Sequence, residues 1–323
     1  MPDDMVAAEL KARIDPQQAA ALARNAEIVA SLGGPGEGIV QIRERADAAR
    51  AIWNEGGPEM AEQRDLTIPG RFRDVPARLY RPVAAEALPL FVYLHGGGFR
   101  IGGPLSNDRQ MREIAERWGG AIISCDYVHV PEHRFPDPVD EVFDVVSWIA
   151  ANAGELGVDA SRIGIGGASA GASVAFGVTF EARDRDPELI KAVVSLYGVL
   201  DYNLDSESMR ALGGGDFMLT RDGVREIYDN YVTDSLHRAD ARAFATKGLF
   251  SGLPHVFLAA AELDPIRDDS VLLAELISGA DQPVRLKVYP GVMHAFFGYS
   301  GMIDRAQELI ADTAQFLGET LGA

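Results

Sequence analysis

The chain has 323 residues, 47% of them hydrophobic and 24% charged, enough apolar material for one large core or for a core with a small cap. Its 30 lysines and arginines stand against 48 aspartates and glutamates, and the formal charge of −18 repels phosphate backbones and anionic lipid heads, so nucleic acid and membrane surfaces are excluded as partners. The single cysteine, Cys125, allows no internal disulfide and no multi-cysteine metal site. No apolar run reaches the roughly 18 residues of a membrane span, and the first residues carry acids where a secretory signal carries bases; a cytoplasmic location is expected.

In chain order, Asp15 followed by Pro16 marks a helix start, and Leu22, Ile28, Val29 and Leu32 give that helix an apolar side ending at Gly33-Gly34-Pro35. A second helical pattern runs through Ile39, Ile42, Ala46, Ala49, Ile52 and Trp53 to Gly56-Gly57-Pro58. Two amphipathic helices ahead of any strand suggest a cap segment over residues 1–55. From Leu66 the period changes. Leu66–Ile68 and Val75–Tyr80 read as strands, the second with a proline suited to an edge.

Then come apolar runs without alternation, as strands buried on both faces show: Leu90–Leu94, Ala121–Ser124, Ile163–Ile165, Ala192–Leu196 and Val256–Ala260. Helical segments lie between them, at about 107–118, 137–152, 170–183 and 267–278. The alternation of strand and helix predicts an α/β fold with a mainly parallel sheet of about eight strands and right-handed crossovers. Val284–Tyr289 alternates like an edge strand, and Met302–Leu317 closes the chain as a helix. Residues 56–323 thus form one domain, interrupted at about 200–253 by an insertion that is too long for an ordinary crossover and contains a helix opened by Thr220.

Chemistry in open α/β sheets gathers past the carboxyl ends of the strands. There the run Ile163–Ile165 leads into Gly167-Ala168-Ser169-Ala170-Gly171, a G-x-S-x-G elbow whose glycines clear a cramped strand-to-helix turn around a serine. His95-Gly96-Gly97-Gly98-Phe99 follows Leu90–Leu94 and lets bare amides approach an oxygen. Glu262 and Asp264 follow Val256–Ala260, and His294 follows Val284–Tyr289. These positions supply a nucleophile, an oxyanion loop, a carboxylate and an imidazole in the order Ser169…Asp264…His294. Gly97, Gly98 and Ala170 are the expected oxyanion donors. Glu262 is the rival carboxylate, but Asp264 lies farther past the strand, precedes a proline, and freezes fewer torsions. Phe99, Met209, Phe217 and Met218 are the expected pocket side chains.

The HGGGF run, the elbow, Asp126-Tyr127, Pro131–Pro136, Asp264-Pro265-Ile266-Arg267-Asp268 and His294-Ala295-Phe296-Phe297 together resemble the hormone-sensitive-lipase-like branch of the α/β-hydrolases. The resemblance spans about Leu88 to the end of the chain and touches the leading helices only weakly. It implies a carboxylesterase that hydrolyses short-to-medium acyl esters without a cofactor, beneath a cap of amino-terminal helices and an insertion. Its elbow departs from the family where Ala168 and Ala172 replace an acid and a glycine, and His129-Val130 replaces Leu-Ala before Pro131-Glu132. The triad is untouched by these changes, while substrate range is not.

Other patterns carry less. His129-Val130-Pro131-Glu132-His133 matches a zinc-protease H-x-x-E-H, but a proline inside it costs a helix roughly 3 kcal/mol or more, so no metal is expected. Gly164–Ser169 falls short of a dinucleotide fingerprint, and no cofactor is expected. A lactonase or amidase using the same triad is the nearest alternative function. A non-catalytic small-molecule receptor on the same fold is the alternative of another class, and such receptors lose the histidine that His294 retains. The expected partner is a small-molecule ester, with a homodimer left open.

Overall fold

The computed structural model describes residues 9–322. Eight strands form one sheet: β1 (Glu62–Pro69), β2 (Asp74–Arg81), β3 (Leu88–Leu94), β4 (Ala121–Cys125), β5 (Val158–Ala168), β6 (Ala192–Leu196), β7 (His255–Ala261) and β8 (Val284–Tyr289). Their spatial order is β1-β2-β4-β3-β5-β6-β7-β8. The six strands from β4 to β8 run parallel, and β2 and β1 add antiparallel at one end. Every residue of β3, β4 and β6 is buried, which is why these strands read as unbroken apolar runs.

Two strands outrun their apolar signal. β1 pairs with β2 over all eight of its residues although only Ile68 among them is buried, because an antiparallel edge needs only one apolar face. β5 continues past Ile165 through Gly166 and Gly167, which pair with Val194 and Ser195. A Cβ on Gly166 would stand 2.4 Å from the Val194 carbonyl oxygen, so the strand is glycine-bearing there for space, and a hydrophobicity pattern cannot see it.

The principal helices are α1 (Pro16–Ser31), α2 (Gly38–Trp53), α3 (Asp108–Trp118), α4 (Asp137–Ala151), the single turn α5 (Ala153–Leu156), α6 (Ala170–Arg185), α7 (Glu207–Leu212), α8 (Arg221–Tyr231), α9 (Arg267–Gly279) and α10 (Asp304–Leu321). One core layer places α3 and α10 on the sheet through Met111, Ile114, Trp118, Leu309, Ile310 and Leu317. The opposite layer holds α4, α6 and α9, with Val142, Val146, Val174, Phe176 and Leu273. α6 buries twelve of its sixteen residues. β8 is the open edge, and its Arg285 and Lys287 are tied to Glu319 and Asp312 of α10.

α1 and α2 sit differently. The Asp15 side chain accepts a hydrogen bond from the Gln17 amide at 2.8 Å and Pro16 opens the helix, yet α1 buries only Gln18 and Ala21. α2 buries only Ala49. Their apolar sides are mostly half-buried: Val29, Ala46, Ala49 and Trp53 meet a cavity, while Leu22 and Trp53 also pack against the core. Polar ties hold α2 down: Arg43 donates to both oxygens of Glu132 at 2.9 and 2.8 Å and to the carbonyls of Val130 and Arg100, while the Asn54 amide donates to the Leu105 carbonyl at 2.7 Å. The segment between β6 and β7 carries α7 and α8, and Thr220 caps α8 by accepting from the Gly223 amide at 2.9 Å.

Candidate active site

The chain leaves β3 toward β4 on one side and leaves β5 toward β6 on the other, so β3 and β5 flank the point where the sheet's winding reverses. Crevices open at such points. Ser169 stands there in a left-handed conformation, φ 52° and ψ −117°, between β5 and α6. This strain holds because the surroundings leave no alternative: a Cβ on Gly171 would lie 2.2 Å from the Leu94 carbonyl oxygen, and one on Gly167 would lie 2.5 Å from the same atom. Only glycines let β3 and the elbow nest so closely.

His294 follows β8 and reaches the serine. Its Nε2 lies 2.9 Å from Ser169 Oγ, and its Nδ1 lies 2.7 Å from Asp264 Oδ2. With Nδ1–H donating to the carboxylate, Nε2 presents the lone pair that accepts the serine hydroxyl. Asp264 is fully buried, and its second oxygen accepts from the Ile266 amide at 3.0 Å. Glu262, the rival, is elsewhere: it accepts from Arg13 and, at 2.8 Å, from the Gly291 amide, so it holds the loop leading to His294. α1 braces the same loop, since the Met293 amide donates to Gln18 Oε1 at 3.2 Å and the Asp15 amide to the Gly291 carbonyl at 2.8 Å.

On the other side of Ser169 lies the glycine loop after β3. Gly97 and Gly98 have φ of 145° and 60°, and a Cβ on Gly97 would sit 2.0 Å from the Ile101 carbonyl oxygen. Among the described residues, no protein acceptor engages the amides of Gly97, Gly98 or Ala170. His95 lies beneath this loop, fully buried, its Nε2 3.3 Å from Asp126 Oδ1 and its carbonyl accepting the Tyr127 hydroxyl at 2.8 Å.

A cavity of about 420 Å³ opens over the serine. Its floor is Gly96–Gly98, Ser169, Tyr197 and His294; its walls are Val29, Ala46, Arg50 and Trp53 of the leading helices with Leu219 and Ile227 of the insertion. The four expected pocket residues are not among its lining, which corrects the expectation. Phe99 is fully buried and stacks on Tyr231 with ring centroids 3.7 Å apart. Met209 is buried, Phe217 packs with Leu212, Leu263 and Met293, and Met218 faces a separate hollow of about 160 Å³. The largest side chains near the insertion are consumed by packing, and their neighbours Leu219 and Ile227 meet the cavity instead. Tyr197, missed in the sequence, follows β6 just as the other site residues follow their strands; its ring stands edge-on to His294 at 5.0 Å.

The H-x-x-E-H pattern disperses. His129 faces Asp126, Glu132 holds Arg43, and His133 bonds Asp137 at 2.9 Å. The ligand atoms that do approach one another, within 4.8 Å, belong to His95, Asp126 and His129, and Arg73 stands on Asp126's second oxygen at 3.0 Å. Burial, aided by the neighbouring His95, pulls the His129 imidazole down to about 3. Burial pushes the Cys125 thiol far up, so it is an inert group at the end of β4.

A family profile described as the alpha/beta hydrolase fold matches residues 91–298. Among solved structures, a hyperthermophilic esterase from the archaeon Pyrobaculum calidifontis is 30% identical with a TM-score of 0.84, over 87% of this chain and 93% of that one. A bacterial heroin esterase is 28% identical at 0.84, over 96% and 99%. EstE1, a thermostable carboxylesterase cloned from a metagenomic library, is 27% identical at 0.85, over 88% and 98%. The chain belongs to the α/β-hydrolase fold family, in its hormone-sensitive-lipase-like branch.

Proposed function

We propose that this chain is a serine carboxylesterase in which Ser169, His294 and Asp264 carry the reaction. Ser169 Oγ attacks the ester carbonyl as His294 Nε2 takes its proton, and Asp264 holds the imidazole tautomer and stabilises the imidazolium. The amides of Gly97, Gly98 and Ala170 receive the oxyanion. Collapse of the tetrahedral intermediate expels the alkoxide, which His294 protonates; water, deprotonated by the same imidazole, then attacks the acyl-serine and releases the acid. The observation that carries this reading is the continuous hydrogen-bonded line Asp264–His294–Ser169, ending beside three amides that no acceptor among the described residues engages.

The cavity's size suits short-to-medium acyl groups. α1, α2 and the insertion supply its walls, which supports their role as a cap. The same proposal includes a cytoplasmic location and a small-molecule ester partner, with a homodimer as the assembly to test by sedimentation. The acidic surface supports the partner assignment, and no helix among the described residues is long and apolar enough to cross a membrane. A fluorophosphonate probe with peptide mapping tests the core of the proposal: it should modify Ser169 alone, and an unlabelled Ser169 in folded protein would refute it. Parallel assays on an activated acyl ester, a lactone and an anilide separate esterase from lactonase and amidase, and a receptor would turn over none.

A further inference from the structure

Arg50 is out of place by the logic of its helix. It lies four residues after Ala46 and three before Trp53, on the side of α2 that carries the apolar residues, and so it points where a hydrophobic side chain would be expected. Its guanidinium joins the wall of the cavity over Ser169 and is the only formally charged group among the described lining residues besides the titratable His294. The bonds it makes go to neutral acceptors: Nη1 donates to Ser106 Oγ at 2.9 Å and Nη2 to the Gly96 carbonyl at 3.1 Å. Its nearest carboxylate among the described residues, Asp47, stands at 3.8 Å, beyond hydrogen-bond range, with more than half of its side chain exposed.

A guanidinium has five N–H groups, and two are engaged here. Burial pushes Arg50 below arginine's ordinary range, while a quarter of its side-chain surface is open, toward this cavity and the smaller one beyond Ser106. Asp47 offsets part of its charge but takes none of its N–H groups, and an anion brought to a largely buried guanidinium gains hydrogen bonds that water no longer supplies. The overall charge of the chain repels anions, so a guanidinium with N–H groups left over in this cavity wall is not explained by the general surface composition.

We infer that Arg50 is an anion-recognition residue of the substrate cavity, and that the preferred substrates are esters bearing a carboxylate in their acyl or alcohol part. This rests on the esterase reading and deepens it. The carboxylate would take the free N–H groups of Arg50 while the ester carbonyl lies at Ser169, so that charge pairing orients the ester along the cavity.

Two matched pairs test it: 4-nitrophenyl hemiglutarate against 4-nitrophenyl valerate for the acyl part, and 4-acetoxybenzoate against 4-acetoxybenzamide for the alcohol part. In at least one pair the wild type should favour the anionic member in kcat/KM by about 10- to 100-fold, the range of a hydrogen-bonded charge pair. Arg50→Gln should abolish or invert that ratio, and Arg50→Lys should keep part of it. Whichever pair shows the preference locates the carboxylate. Because Arg50 also ties the Gly96 loop, the wild type supplies a second test: glutarate should compete with the neutral ester, and glutaramide should not. Neutral members favoured in both pairs, a preference unchanged in Arg50→Gln, or no competition by glutarate would each overturn the inference while leaving the esterase reading intact. No turnover of any ester, with Ser169 unlabelled, would remove both.

Discussion

The two walls of the cavity are held by different forces. The platform is the sheet end with α6, where the elbow, the glycine loop and Asp264 are packed against fully buried strands and backbone oxygens stand 2.2–2.5 Å from where a side chain on Gly171 or Gly167 would be. The opposite wall, α1 and α2, buries three residues in all and is fastened by arginine and asparagine hydrogen bonds to loops. Close-packed apolar contact fixes position to fractions of an ångström, whereas solvated polar ties fix it less tightly and tolerate change. In the proposed mechanism the chemistry therefore sits on the rigid side and the choice of substrate on the adjustable one.

Four experiments break or sharpen this contrast. Ser169→Ala should lower turnover of an activated ester by on the order of 10⁶, leaving what binding and the oxyanion amides supply. Retention of a tenth of the activity would dissolve the platform's claim to the chemistry. Asp264→Asn should cost on the order of 10⁴ by favouring the wrong imidazole tautomer, with the circular dichroism spectrum unchanged. Glu262→Gln, which only loosens the His294 loop, should cost less than about tenfold, and the reverse ranking of these two variants in steady-state kinetics would reassign the carboxylate.

The third test addresses the seam between the walls, where His129 lies near Glu132, the anchor of α2's Arg43. A His129 neutral down to about 3 in the folded protein gains a proton on unfolding below about 6.5, so the unfolded state binds more protons there and stability falls as pH falls from about 6.5 toward 3. Against His129→Leu, the wild type should lose about 2 kcal/mol more between pH 8 and pH 5 in urea denaturation. Parallel stability curves for the two proteins would show that this histidine accepts its proton in place. The smallest effect is expected from the insertion, which completes the cavity's walls through Leu219 and Ile227. Ile227→Ala should change the ratio of kcat/KM for hexanoyl over acetyl esters by roughly three- to tenfold while moving the acetyl value little. An unchanged chain-length profile would take the insertion out of substrate selection.

The same contrast decides what could be read in advance. The strands of the platform are apolar runs because both faces are covered, so a mainly parallel sheet of about eight strands could be reasoned from them, and Ser169, Asp264 and His294, each expected past a strand end, meet in one hydrogen-bonded line. The glycine continuation of β5 escaped because Gly166 and Gly167 pair without contributing hydrophobicity. The pocket escaped for a deeper reason. Its lining depends on how α1, α2 and α8 are turned toward one another, and a large side chain such as Phe99 or Phe217 is as ready to fill a core as to face a ligand. Arg50 did leave a trace: a charge at apolar spacing between Ala46 and Trp53.

The bond from the Met293 amide to Gln18 makes α1 more than a wall. The helix that borders the cavity also steadies the backbone next to His294, as does Asp15 through the Gly291 carbonyl. The loop thus has anchors on both sides: Gln18 and Asp15 from α1, and Glu262, which accepts from the Gly291 amide at 2.8 Å, from the end of β7. One helix thus serves two parts of the molecule at once: a change that moves α1 reaches the lining of the cavity through Val29 and the backbone beside His294 through Gln18.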